Sequence, residues 1–213
     1  MRWYRPKSKE IDIEGITRHG TDSVFYIVGS HDARRHSIFR PKDQSNPVNE
    51  NRKRFEWKPE QQKDRERLIR LAIDPQTGQL VEGSLIITSL RDNLASHPVL
   101  SGFIGAASKE NGIDIEGIAS DGQRLYIGFR GPVLLSGMTP VLVFDADHRE
   151  AGHVRYVALQ GLGIRDLARI PERARTDQWE PQGSNPLGRP GPEWAQSSFL
   201  VRPIVKGNSG QGS

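Results

Sequence analysis

The chain has no cysteine among its 213 residues. Disulfide bridges and cysteine-ligated zinc are therefore excluded as supports for a small core. Aromatic residues make up 7% and the hydrophobic set 35%, with a mean hydropathy of −0.60. That is below the usual apolar content of a globular protein and predicts a core over only part of the length. No apolar run approaches the roughly 18 residues of a membrane helix. The opening residues, Met1-Arg2-Trp3-Tyr4-Arg5-Pro6, have no apolar stretch behind them, so no signal peptide is visible. None of these absences selects a compartment.

Charge is present but unevenly placed. The formal net charge is +4 and the isoelectric point is near 9.5. Residues 1–70 hold 17 Lys+Arg against 11 Asp+Glu, whereas residues 71–213 hold 13 against 15. A basic half invites a nucleic-acid reading. Much of that charge falls between Arg34 and Arg70, where acidic residues alternate with the basic ones. A solvated loop accounts for this, and Trp3 and Trp57 read as loop residues covering a face rather than as base-stacking platforms. Nucleic acid is not an expected partner.

What the chain does contain is a hexamer twice over. Ile-Asp-Ile-Glu-Gly-Ile stands at Ile11–Ile16 and again at Ile113–Ile118. A polar turn and a short apolar run ending in glycine follow each copy. The first run is Val24-Phe25-Tyr26-Ile27-Val28-Gly29; the second is Leu125-Tyr126-Ile127-Gly128. A hexamer with a matching sequel predicts duplication of one supersecondary unit. Short runs bounded by Gly, Pro, Asn and Asp predict antiparallel strands throughout. In the first unit these are Ile13–Thr17, Val24–Val28, Leu68–Asp74 and Gly83–Thr88. In the second they are Ile115–Ala119, Leu125–Phe129, Val141–Asp145 and Val154–Leu159. A third unit begins at Gly163-Ile164-Arg165-Asp166-Leu167-Ala168.

Four strands per unit is the blade pattern of a β-propeller. The expected fold is all-β: an incomplete propeller of antiparallel four-stranded blades. The expected organisation is an extension over residues 1–10, a β domain over 11–170 and a tail over 171–213. Within the β domain, blade one spans 11–90 with a basic loop at 32–67, blade two spans 113–160, and a partial blade starts at 163. Glu60–Arg67 predicts one or two helical turns. Ser89 predicts a helix cap with Asp92 three residues on, and Pro98 limits that helix. The tail holds 6 Pro and 6 Gly in 43 residues, a composition that predicts no packing. Two blades and part of a third do not close a ring of four to eight. The expectation is a fragment of a longer propeller whose exposed blade edges are templates for self-association.

The repeating residues also carry a resemblance. Asp114-Ile115-Glu116-Gly117-Ile118-Ala119, Leu125-Tyr126-Ile127-Gly128-Phe129-Arg130-Gly131-Pro132-Val133 and Leu162-Gly163-Ile164-Arg165-Asp166-Leu167-Ala168 resemble the signature of a bacterial family, domain of unknown function 3616. Glu14-Gly15 with Ile27-Val28-Gly29-Ser30-His31 resembles its earlier unit. The resemblance covers about residues 9–170. It implies a propeller-like β fold, usually in a longer and often exported chain, with no assigned activity. After Ile170 the proline-rich tail departs from that pattern.

Three groups of residues could carry chemistry. Glu14 and Glu116 occupy the same place in two units, and Asp166 is aligned with them in the third. On the innermost strands, such carboxylates would converge on an axis and could hold a hard cation such as calcium, which takes oxygen ligands. This is similar to the Glu-Gly start of metal-dependent lactonase-type propellers. The alternative is that they accept backbone hydrogen bonds or pair with arginines. Asp12 and Asp114 read as turn residues. Arg130 and Arg165, beside glycines, could bind an anion bidentately or neutralise the acidic residues. His31 could be an anion ligand or a base, or a histidine held by hydrogen bonds. Two functions follow: a non-catalytic binding or scaffold module, or a hydrolase of lactonase, esterase or phosphatase type that uses a channel cation.

Overall fold

Strands β1 (Ile13–His19) and β2 (Val24–Gly29) form a hairpin, and β2 continues into β5 (Leu68–Ala72) and β6 (Ile86–Thr88). Sheet order is β1-β2-β5-β6, every pair antiparallel. The residues between β2 and β5 include β3 (Ala33–Arg34), helix α1 (Val48–Glu56), β4 (Glu60–Gln61) and a 3₁₀ turn at Lys63–Arg65. The second sheet is built alike from β7 (Asp114–Ser120), β8 (Arg124–Gly131), β9 (Met138–Asp145) and β10 (His153–Ala158), again an antiparallel meander. Strand β11 (Ile164–Arg169) pairs with β12 (Phe199–Pro203). The computed structural model describes residues 11–20, 23–35, 48–146, 152–170 and 199–203.

The protein is thus mostly β, with antiparallel sheets and few helices, as its alternating apolar runs require. Among the described residues the sheets have four, four, two and two strands, and none closes on itself. Local chemistry sets the turns. Asp121 accepts from the backbone N–H groups of Gln123 (2.9 Å) and Arg124 (2.7 Å), and Gly122 supplies a φ of +97° between β7 and β8. Asp74 does the same for Gln76 and Thr77 ahead of Gly78.

Three details differ from expectation. Residues 60–67 form a two-residue strand and a single 3₁₀ turn, because Glu60 and Gln61 pair with Arg34 and Ala33. Ser89 accepts from Arg91 N–H at 3.1 Å, yet the helix it precedes, α2 (Arg91–Ser96), begins one residue beyond Leu90. The tail is not unpacked throughout: Phe199–Pro203 is a strand, since the apolar run Phe199-Leu200-Val201 finds the open edge of β11. The extension at 1–10, residues 36–47 of the basic loop and the rest of the tail lie outside the described residues.

Two apolar clusters lie between successive sheets. Tyr26, Val28 and Leu68 of the first sheet pack against Ile115, Ile118, Leu125, Ile127, Leu142 and Phe144 of the second, with Leu90, Leu94 and Leu100 closing the edge. The opposite face of the second sheet (Ala119, Tyr126, Val141 and Val143) packs against Ile164 and Leu167 of β11. Glycines permit the close approach. A Cβ on Gly15 would meet Ile118 Cγ2 at 2.9 Å, and one on Gly117 would meet Leu167 N at 3.0 Å.

Candidate ligand-binding cleft

Each of the three first strands carries a bulge. In β1 the register passes from Ile13 opposite Gly29 to Gly15 opposite Val28, leaving Glu14 unpaired in the ladder. In β7 it passes from Ile115 to Gly117, leaving Glu116. In β11 it passes from Ile164 to Asp166, leaving Arg165. A bulge re-aims the extra side chain. By register, Arg165 occupies the place of the two glutamates, and Asp166 occupies that of Gly15 and Gly117. Asp166 is solvent-exposed.

The bulged residues meet at one side of the sheets. Glu116 is only 2% exposed in its side chain, and both of its oxygens are engaged. Arg130 pairs with Oε1, and Arg165 Nη1 donates to Oε2 at 2.8 Å. Arg130 also donates to Asp114, the buried first residue of β7. In the first sheet the place of Arg130 is taken by Ser30, whose hydroxyl donates to Asp32 Oδ1 at 3.1 Å. The cation there is Arg65, from the 3₁₀ turn before β5. It is 3% exposed and pairs with Asp12 and, at 3.4 Å, with Asp32. Asp12 reaches it from a backbone with φ of +57° just ahead of β1, outside the strand. Asp114 instead lies within its strand.

Glu14 differs from its neighbours. It forms no hydrogen bond or ion pair among the described residues. Burial pushes its carboxyl up to about 7, and the charges of Asp12, Glu116 and Asp114 add to the rise while Arg130 opposes it. Burial likewise raises Asp114 to about 6 against the pull of Arg130. A cleft of about 340 Å³ opens over these groups, lined by Asp12, Glu14, Asp32, Arg65, Asp114 and Arg130. Its outer wall comes from Arg34 and Arg35 and from the turn at Ala107–Glu110, where Arg35 Nη2 donates to Glu110 at 2.7 Å.

The site expected from sequence is gathered here in part. Glu14, Glu116, Arg130 and Arg165 converge; Asp166 and His31 do not join them. His31 is buried, with Nδ1–H donating to the Gly29 carbonyl (2.9 Å) and Nε2 accepting from Leu90 N–H (3.1 Å). These bonds fix one neutral tautomer, burial lowers its pKa to about 4, and neither ring nitrogen is left for an anion. Among the described residues no group of three or more His, Asp or Glu has an arrangement that would hold a metal. Asp32 and Arg65 are site residues that sequence reasoning missed. One signal was available: an aspartate repeated at the same place in two hexamers calls for a cation at both, and only the second unit has its arginine nearby in sequence.

The sequence profile of the family described as a protein of unknown function (DUF3616) matches residues 1–172. The chain belongs to this family. No curated protein and no solved structure matches it. Among the described residues, no helix of this DUF3616 member is long and apolar enough to cross a membrane.

Proposed function

We propose that this DUF3616 member is a non-catalytic binding module. In this reading its two four-stranded sheets and β11 are consecutive repeated units of a propeller-type arc, and the cleft at their first strands takes a small polar ligand. The repeated contact supports the arc: Gly15 receives Ile118, and Gly117 receives Leu167. The observation that carries the binding reading is Glu14. Each of Arg65, Arg130 and Arg165 is paired with an acid, whereas Glu14 faces the cleft without a hydrogen bond or ion pair among the described residues. A ligand that presents an ammonium or another strong donor would offset the burial and the neighbouring negative charges that raise Glu14, and would gain a charge-assisted hydrogen bond. The volume suits a molecule of metabolite size.

The same crowding of Asp12, Glu14, Asp114 and Glu116 favours one alternative, a metal-dependent hydrolase with calcium at Glu14. A cation relieves that repulsion as a proton does. Against it, both Glu116 oxygens already accept from arginines, so a shared cation would have to displace them.

Thermal melting at pH 8 tests both readings, with a panel of primary amines and amino acids in one arm and calcium chloride in the other. The binding reading expects an amine-bearing compound to raise the melting temperature of the wild type and not of Glu14→Gln. A calcium shift lost in both Glu14→Gln and Glu116→Gln would favour the hydrolase. No shift in either arm at millimolar concentration would remove the cleft as a ligand site.

A further inference from the structure

The two four-stranded sheets present the same face to different surroundings. In the second sheet Ile115, Ile118, Leu125, Ile127, Leu142 and Phe144 lie between 0% and 2% exposed, covered by the first sheet. Their register counterparts in the first sheet are Ile13 and Ile16 on β1, Phe25 and Ile27 on β2, and Ile69 and Leu71 on β5. None of these six is buried, and Ile13 and Ile16 are 59% and 62% exposed. Six apolar side chains on one sheet face form a patch of the kind that marks an interaction surface. Phe25, Ile27, Ile69 and Leu71 are half-buried.

We infer that this face docks a further four-stranded antiparallel sheet of the same kind, seated on it as the first sheet is seated on the second. The existing interfaces specify what that partner must offer. Ile118 is received by Gly15 and Leu167 by Gly117, so Ile16 needs a glycine opposite it, with side chains such as Tyr26, Val28 and Leu68 around it. A second copy of this chain does not supply that surface. The corresponding place on its last unit is Asp166, whose carboxylate would be set against Ile16 without a partner. The glycine-bearing face of its first sheet is already occupied by its own second sheet. The inference shares the stacking argument with the propeller-type reading but does not depend on the cleft.

The test extends the full chain with a second copy of residues 11–112 placed ahead of Ile11, the interval that separates the two hexamers. In the existing interface the Cβ of a residue at position 15 would lie 3.8 Å from Ile118 Cβ, the spacing of a disulfide. The chain has no cysteine of its own, so Gly15→Cys in the added copy and Ile16→Cys in the original form an unambiguous reporter. The inference expects this pair to oxidise within one chain, and the extended chain to melt above the single one. It also expects Ile16→Asp, without the cysteines, to abolish the gain in melting temperature. An extended chain that does not fold, or folds with the pair reduced, overturns it. So does a single chain that sediments as a dimer and cross-links to itself through Ile16→Cys, because the face would then belong to a second copy.

Discussion

Replacing Glu14 by glutamine should change how stability depends on pH. The folded protein holds a proton on Glu14 up to about pH 7, whereas the ordinary value is 4.5. Between those values the folded state binds more protons than the unfolded one, so stability falls as pH rises through the window and levels off above it. A shift of that size corresponds to at most about 3 kcal/mol. Glu14 is only partly buried, and solvent screening reduces the figure to about 1–2 kcal/mol. Glutamine keeps the shape without the charge. The wild type should therefore lose this increment between pH 5 and pH 8 relative to Glu14→Gln, and the variant should be the more stable of the two at pH 8. For a domain of this size the gap is about 2–8 °C in melting temperature. Asp114, pushed up to about 6, titrates in both proteins, so the difference between them reports Glu14 together with its coupling to Asp114. The assay is thermal or urea unfolding followed by circular dichroism at pH 5 and pH 8. Equal pH dependence in the two proteins, or a variant less stable at pH 8, would refute the argument that burial and the neighbouring carboxylates hold a proton on Glu14.

Other expectations follow from the same geometry. Arg130→Met leaves Asp114 without its counter-charge and Glu116 with Arg165 alone, and should cost about 3 kcal/mol, with a smaller loss at pH 5 than at pH 8 in urea unfolding because Asp114, raised by burial, is then protonated. Gly117→Ala places a methyl 3.0 Å from the Leu167 backbone and should cost about 1–2 kcal/mol, read as a lower urea midpoint with an unchanged slope. Ile118→Ala should cost about 3 kcal/mol, whereas Ile16→Ala, its exposed counterpart, should cost less than about 1 kcal/mol; equal losses would mean that Ile16 is covered in solution.

Much of the β architecture was legible in the sequence because alternation and turn chemistry are local signals. The runs at 24–28, 125–129 and 141–145 lie on strands, that at 68–74 does so as far as Ala72, and the turn residues Asp74, Asp121 and Gly122 work through their own side chains or φ angles. The site was less legible. A bulge adds one residue to a strand without altering composition, so spacing alone aligned Asp166 with the glutamates, whereas pairing places Arg165 there. Arg65 sits in a segment whose mixed charge reads as solvated, yet it is buried by two aspartates distant in sequence. His31 is held by a carbonyl two residues away and by an N–H 59 residues away, and the second of these carries no sequence signal. Strand β12 joins β11 from 30 residues beyond it, a long-range pairing that a Pro/Gly-rich composition conceals.

The central claim is that the hexamer glycine of one sheet receives the hexamer isoleucine of the next, because both the cleft and the exposed face depend on that contact. The most direct measurement is disulfide formation in the otherwise cysteine-free chain carrying Gly15→Cys and Ile118→Cys, read by mass spectrometry after mild oxidation. The account predicts a quantitative intramolecular bond, absent when Ile118→Cys is combined with Thr17→Cys in place of Gly15→Cys. Two free thiols, or bonds formed only between molecules, would contradict it.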